Sequence, residues 1–217
     1  MEIKKIANNA INFSINRFIE ILAITIVVIG VLLLISLVSF SPNDPNFIFP
    51  EGTVIKNFLG YRGSFSSDLF FQSFGLTALL IPLSLIFTGI NIILSKKIFF
   101  IIESNFFTIL YLLSGSLFFS FFYTNSFELY INGNGGFVGK YLTTTFLHSL
   151  INYNPQFFYY LLLLLIISLF LISVQFKVIS SYKFFKKIFK FLFNKKNKNY
   201  TNKNEIISEF IPQEEIK

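Results

Sequence analysis

Few residues in this chain could carry chemistry. There is one His and no Cys, which excludes disulfides, thiolate metal sites and cysteine nucleophiles. A Ser/His/Asp triad would have to be built on His148, and no His-based metal cluster is possible. Asp44, Glu51, Asp68 and Glu128 could supply acids to a membrane-bound enzyme acting on lipid or peptidoglycan precursors, but none is spaced to pair with a His or a nucleophile. The Gly-rich piece Gly133-Asn134-Gly135-Gly136-Phe137-Val138-Gly139-Lys140-Tyr141 invites comparison with a phosphate loop. That loop needs Gly, four residues, then Gly-Lys and a Ser or Thr hydroxyl. Here Asn134 stands where the first Gly belongs and Tyr141 where the hydroxyl belongs. The expectation is no catalytic, cofactor or metal site.

The elements behind these residues are apolar. Of 217 residues, 53% are hydrophobic and 13% charged, with 32 Phe and 10 Tyr. Mean hydropathy is +0.65. Soluble domains carry about 25% charged residues, so this chain cannot cover a water-facing surface. A soluble globular enzyme is excluded, and so is disorder of the apolar part.

Four long runs lack Asp, Glu, Lys and Arg: Ile21–Asn43, Leu69–Ser95, Ser104–Phe127 and Tyr141–Phe176. One membrane span needs about 20 apolar residues. The last run is long enough for two, but Asn152-Tyr153-Asn154-Pro155 interrupts it. Asn is a good N-cap and Pro suits the first helical position, so the fourth span starts near Pro155, leaving Tyr141–Ile151 as a short interfacial helix. The fold expected is all-α: an integral membrane four-helix bundle with spans at about 21–40, 69–94, 104–124 and 155–176. Residues 1–20 form a lead, 21–176 the four-span domain, and 177–217 a juxtamembrane helix and the start of a linker. Ser41–Asp68 and Glu128–Asn154 make a short external cap. Ile21–Phe40 exceeds the usual apolar core of a signal peptide, so it reads as a retained anchor. Of the 18 Lys and Arg, only Lys56, Arg62 and Lys140 fall on the cap side. The excess marks the cytoplasmic side, which puts both termini there.

Within the second run, Gly75, Pro82 and Gly89 recur every seven residues and suggest one helix face, with a kink at Pro82. Either this is a packing seam or a broken helix lining a transport site. Ser116 and Ser120 form a small-x-x-x-small pair suited to helix contact. Asp68 and Glu103 fall at the starts of the second and third spans, where an acid complements the helix dipole. The near-absence of charge inside the spans counts against an ion-coupled transporter, although a small transporter or channel subunit stays the alternative. In the tail, Lys183, Lys186, Lys187 and Lys190 share a helix face opposite Phe184, Phe185, Ile188, Phe189 and Leu192. A basic amphipathic helix beside a span suits the anionic inner leaflet. Nucleic-acid binding is the rival reading, but the position beside a span favours lipid, so no direct nucleic-acid contact is expected.

Several motifs carry a resemblance. Phe40-Ser41-Pro42-Asn43-Asp44-Pro45-Asn46-Phe47 follows the first span. Asn57-Phe58-Leu59-Gly60-Tyr61-Arg62-Gly63 leads through Ser64 and Ser67 to Asp68, then Phe74-Gly75 and Pro82. Gly135-Gly136-x-x-Gly139 precedes the fourth span. In this order, over about Ile19–Lys177, the chain resembles the four-span N-terminal membrane domain of the FtsK/SpoIIIE DNA translocases. Ser64 and Ser67 stand where that family usually has alanines. The resemblance implies a role at the bacterial division septum in cell division and chromosome partition, contacts with division proteins, and a homo-oligomer in the inner membrane. It also implies an ATPase motor far downstream, none of which is in this sequence. The chain is therefore expected to be no enzyme, and to be a fragment, a split gene product or a free-standing domain. Physically, Ser41-Pro42-Asn43-Asp44-Pro45 is turn chemistry, and Gly60 and Gly63 would permit positive φ. The matched residues read as builders of the cap.

Overall fold

The helices follow the uncharged runs but pass beyond them at several ends. The computed structural model describes residues 2–45, 54–124 and 132–175. Their helices are α1 (Glu2–Val38), α2 (Gly60–Phe74), a 3-10 turn (Gly75–Leu79), α3 (Leu80–Ser95), α4 (Phe99–Phe122), α5 (Gly136–Thr143), α6 (Phe146–Tyr153) and α7 (Pro155–Ser173). No strand occurs among the described residues. Four stretches are long and apolar enough to cross a membrane: Asn8–Val38, Gly60–Ser95, Phe99–Phe122 and Pro155–Ser173. The fold is an all-α membrane helix bundle. The tail from 177, with Lys183, Lys186, Lys187 and Lys190, lies outside the described residues.

Local sequence explains the ends. Residues 2–20 contain neither Gly nor Pro, so the lead and the first span form one continuous helix. α7 begins at Pro155, with the Asn154 side chain accepting from Phe157 N at 3.2 Å. Glu103 is the fifth residue of α4, and its carboxylate accepts from Gln175 Nε2 at 3.1 Å. It ties α4 to the residues just past α7 and does not cap α4. The short helix expected over Tyr141–Ile151 is two helices, α5 and α6. Thr145 caps the second by accepting from Leu147 N at 3.3 Å.

Four rods run antiparallel. Lys96 pairs with Glu20, and Gly30 packs on Ile86, so α3 runs down α1. Ser84 meets Tyr111 at 3.0 Å and Thr88 meets Ser104 at 2.5 Å, so α4 runs back up α3. The Tyr111 and Phe170 rings lie 5.7 Å apart and those of Phe118 and Tyr159 5.2 Å, so α7 runs down α4. α3 lies between α1 and α4, and α7 packs on α4 and α3. One core cluster joins Leu33 and Leu37 to Phe71, Ile81 and Tyr111. A second joins Leu117 and Phe118 to Ile151 and Leu162.

α2 is not part of that array. Ser36 Oγ donates to Gly63 O at 2.6 Å, and the Phe40 and Phe71 rings lie 4.8 Å apart. An α2 antiparallel to α1 would carry Phe71, about 12 Å further on, down to the level of residue 28. Phe71 instead meets Phe40, so α2 lies across the end of α1. The rod that packs along α1 and α4 therefore begins near Gly75, where α2 has ended. The 3-10 turn and α3 supply about 34 Å, enough for a hydrocarbon core of about 30 Å. The break sits at Gly75, where φ is +62°. Pro82 is the third residue of α3, just past the 3-10 turn, so the irregular stretch of this run lies on its N-terminal side.

Candidate functional site

The cap is assembled around two buried side chains. Asp44 N donates to Ser41 O at 3.1 Å, closing the Ser41-Pro42-Asn43-Asp44 turn ahead of Pro45. The Asp44 carboxylate is 1% exposed and accepts from Lys56 N at 2.9 Å and Asn57 N at 2.8 Å. Charge-assisted bonds of this kind offset the cost of burying a carboxylate. Asn57 Nδ2 donates to Ser36 O at 2.8 Å and Ser39 O at 3.3 Å. These are carbonyls at the C-terminal end of α1 that a helix cannot satisfy itself. Asn57 Oδ1 accepts from Leu59 N at 3.1 Å, and Ser64 Oγ donates to Pro45 O at 2.7 Å.

α2 opens at Gly60, where φ is +65°. Gly63 has no positive φ; it is small because a Cβ there would overlap Asn57 Oδ1. Asp68 is not at a helix start. It is buried well inside α2, accepting from Gln72 Nε2 at 3.5 Å. The hydroxyls of Ser66 and Ser67 donate back within α2, to Arg62 O at 2.7 Å and Gly63 O at 2.9 Å.

The second cap segment locks onto the α2–α3 break. Leu76 N donates to Asn134 O at 2.9 Å, and Asn132 Nδ2 to Gln72 O at 3.2 Å. Gly75 and Gly136, both at positive φ, face each other: a Cβ on Gly136 would lie 2.6 Å from Ser73 O. A Cβ on Gly135 or on Gly139 would overlap the Ser116 carbonyl. Ser116 in turn donates to Phe74 O at 3.1 Å. The Gly-Gly-x-x-Gly motif and the Ser116/Ser120 pair thus meet each other. Gly89 packs on Ala23 and Val27 of α1. Gly75, which meets Asn134, and Gly89 therefore do not share one neighbour, because the break at Gly75 separates it from the phase of α3.

A buried cluster of hydroxyls went unread in the sequence. Ser84 and Thr88 of α3, Ser104, Thr108 and Tyr111 of α4, and Ser173 of α7 meet inside the bundle. Ser173 Oγ lies 3.2 Å from Ser84 Oγ, 3.3 Å from Ser104 Oγ and 2.9 Å from Thr108 Oγ1. The signal was the spacing: 84/88 and 104/108/111 each fall on one helix face. The partner Ser173 lies 89 residues from Ser84. These hydroxyls bond to one another and to carbonyls, with no acid or base among them, so the chemistry they support is helix association. His148 is exposed on α6, 3.1 Å from Asn152 Nδ2. Lys140 is exposed in the last turn of α5, away from any phosphate-loop arrangement.

The comparisons with known proteins agree with one another. The model of the family described as the 4TM region of DNA translocase FtsK/SpoIIIE matches residues 16–186. The chain is 34% identical over 82 residues to the DNA translocase FtsK of Rickettsia bellii (strain RML369-C), covering 36% of this chain and 11% of that protein. It is 38% identical over 64 residues to the DNA translocase FtsK of Rickettsia typhi (strain ATCC VR-144 / Wilmington), covering 30% and 9%. The matched stretch is thus about a tenth of those relatives' length. No solved structure matches the chain.

Proposed function

This chain belongs to the FtsK/SpoIIIE 4TM-region family, and from that premise we propose that it anchors an FtsK-like DNA translocase in the membrane for cell division and chromosome partition. It is a multi-pass membrane domain, and the carrying observation is that the family match spans the four crossings and both cap segments together. The domain contributes anchoring, assembly and protein contacts, and not the ATPase activity of the translocase. The membrane is the bacterial inner membrane, with both termini cytoplasmic. The placement of all Lys and Arg except Lys56, Arg62 and Lys140 on the side of the termini supports this orientation. The cap then faces outward, available to division proteins, and copies of the chain associate at the septum. The tail lysines Lys183, Lys186, Lys187 and Lys190 hold the cytoplasmic segment on anionic lipid.

A fluorescent fusion to the C-terminus, imaged in dividing cells, tests the reading. A band at midcell that tracks constriction is the expected result. Uniform membrane signal through the division cycle would remove the septal role and leave only the anchor.

A further inference from the structure

α6 has three distinct faces. At about 100° per residue, Leu147 and Ile151 point one way, into the cluster with Leu117, Phe118 and Leu162. About 120° round the helix lie Phe146, Leu150 and Tyr153, which are 76%, 45% and 92% exposed. Another 120° on lie His148, Ser149 and Asn152, all exposed and polar. A helix on a soluble protein's surface has two faces, core and water. The third, apolar and solvent-free by chemistry, calls for a third environment.

The place of α6 in the fold says what that environment is. The His148 ring lies 5.5 Å from Phe121, in the last turn of α4, and α7 begins directly after Asn154. At the far end of the same two crossings, Glu103 and Gln175 form a polar pair. From Glu103 to Phe121 along α4 is about 27 Å, close to the hydrocarbon thickness of about 30 Å. If the polar pair marks one edge of the hydrocarbon, α6 lies at the other. Aromatic residues with one apolar and one wet side collect at that depth. α5, which crosses α4 at Ser116 about 7.5 Å deeper than Phe121, adds exposed Phe137 and Tyr141.

We propose that α6 is a lipid-contact helix seated at the lipid–water boundary on the cap side, with the Phe146–Leu150–Tyr153 stripe in the phospholipid headgroup and upper acyl region and the His148–Ser149–Asn152 stripe in water. The occupant of the stripe is phospholipid, not a second copy of the chain or a partner protein. This seat fixes the depth of the cap and gives α7 its entry point.

The chain has no Trp, so single tryptophans report cleanly. Phe146→Trp, Tyr153→Trp and Ser149→Trp, each in the full chain reconstituted in phosphatidylethanolamine/phosphatidylglycerol vesicles, are compared with Leu164→Trp in mid-α7. Quenching is measured with aqueous acrylamide and with lipids brominated near the headgroup or deep in the acyl chain. The proposal expects the stripe tryptophans to be quenched best by shallow bromines, Leu164→Trp by deep ones, and Ser149→Trp by acrylamide alone. Each variant is scored only if it resists carbonate extraction from its vesicles and keeps the parent's helical circular dichroism, which secures a folded, inserted protein. Stripe tryptophans open to acrylamide and unaffected by bromolipid would overturn the proposal by placing α6 in water. Stripe tryptophans shielded from both quenchers would overturn it by showing a protein partner there.

Discussion

At the scale of single residues, the cap is held by groups that must be present and groups that must be absent. Asp44 supplies the acceptor for Lys56 N and Asn57 N. Asp44→Ala leaves the buried Asn57 amide without an acceptor, and we expect a loss of about 1–3 kcal/mol by thermal unfolding in detergent. Asp44→Asn keeps one acceptor oxygen but turns its NH2 donor toward the other buried N–H, so it should lose a comparable amount. If both variants melt with the parent, the clamp contributes nothing. Two glycines at positive φ separate backbone strain from steric overlap. Gly133 has open space around its α-carbon, whereas a Cβ on Gly136 would strike Ser73 and Gly75. Gly133→Ala should cost only the left-handed strain of about 1–2 kcal/mol. Gly136→Ala should cost clearly more, because the Gly75–Gly136 approach must open. Equal melting temperatures for the two would mean that the cap segments do not interlock there. These positions were partly legible in sequence: Gly75, Gly135, Gly136 and Gly139 stood out as motif. That Gly63 makes room for Asn57, and that Asn57 reaches the end of α1, was not legible, since both depend on contacts made across the chain.

Between elements, the hydroxyl cluster is a polar contact shared by α3, α4 and α7 beside their apolar packing. Ser173 is the shared member, and inter-helix hydroxyl bonds in membranes contribute about 0.6 kcal/mol on average, up to about 1.7. Ser173→Ala should lower stability by about 1 kcal/mol. Ser168→Ala, whose hydroxyl only reaches its own helix at Leu165 O, should be near neutral. Steric-trap or denaturant unfolding in bicelles would show the difference, and parity would mean that apolar packing alone holds α7. The tail is a second element with its own prediction. Changing Lys183, Lys186, Lys187 and Lys190 to Gln removes roughly 1 kcal/mol of surface attraction per lysine, and should make the tail more protease-sensitive in inverted vesicles at physiological salt. Unchanged cleavage would end the lipid assignment for these four residues.

For the whole molecule, topology is the quantity that charge decides. Thr144→Cys on the cap side should react with an impermeant maleimide in intact cells, and Asn199→Cys should not; the opposite pattern would invert the domain. The sequence by itself determined which stretches of this chain are long and apolar enough to cross a membrane. This follows from the cost of putting charge in hydrocarbon, a cost each run of residues meets on its own. It also determined the start of α7, because Asn154-Pro155 is a local signal complete in itself. Only the tertiary structure decided that the uncharged stretch from Leu69 to Ser95 is two helices at different angles. Its apolar composition suits a helix lying across the cap as well as one crossing the membrane. The choice is made by Gly75 meeting Asn134 and by Ser36 meeting Gly63, contacts between segments far apart in sequence. The same holds for the hydroxyl cluster: a serine in an apolar helix can face lipid or a neighbour, and only the packing of α7 onto α3 and α4 gives Ser173 its partners.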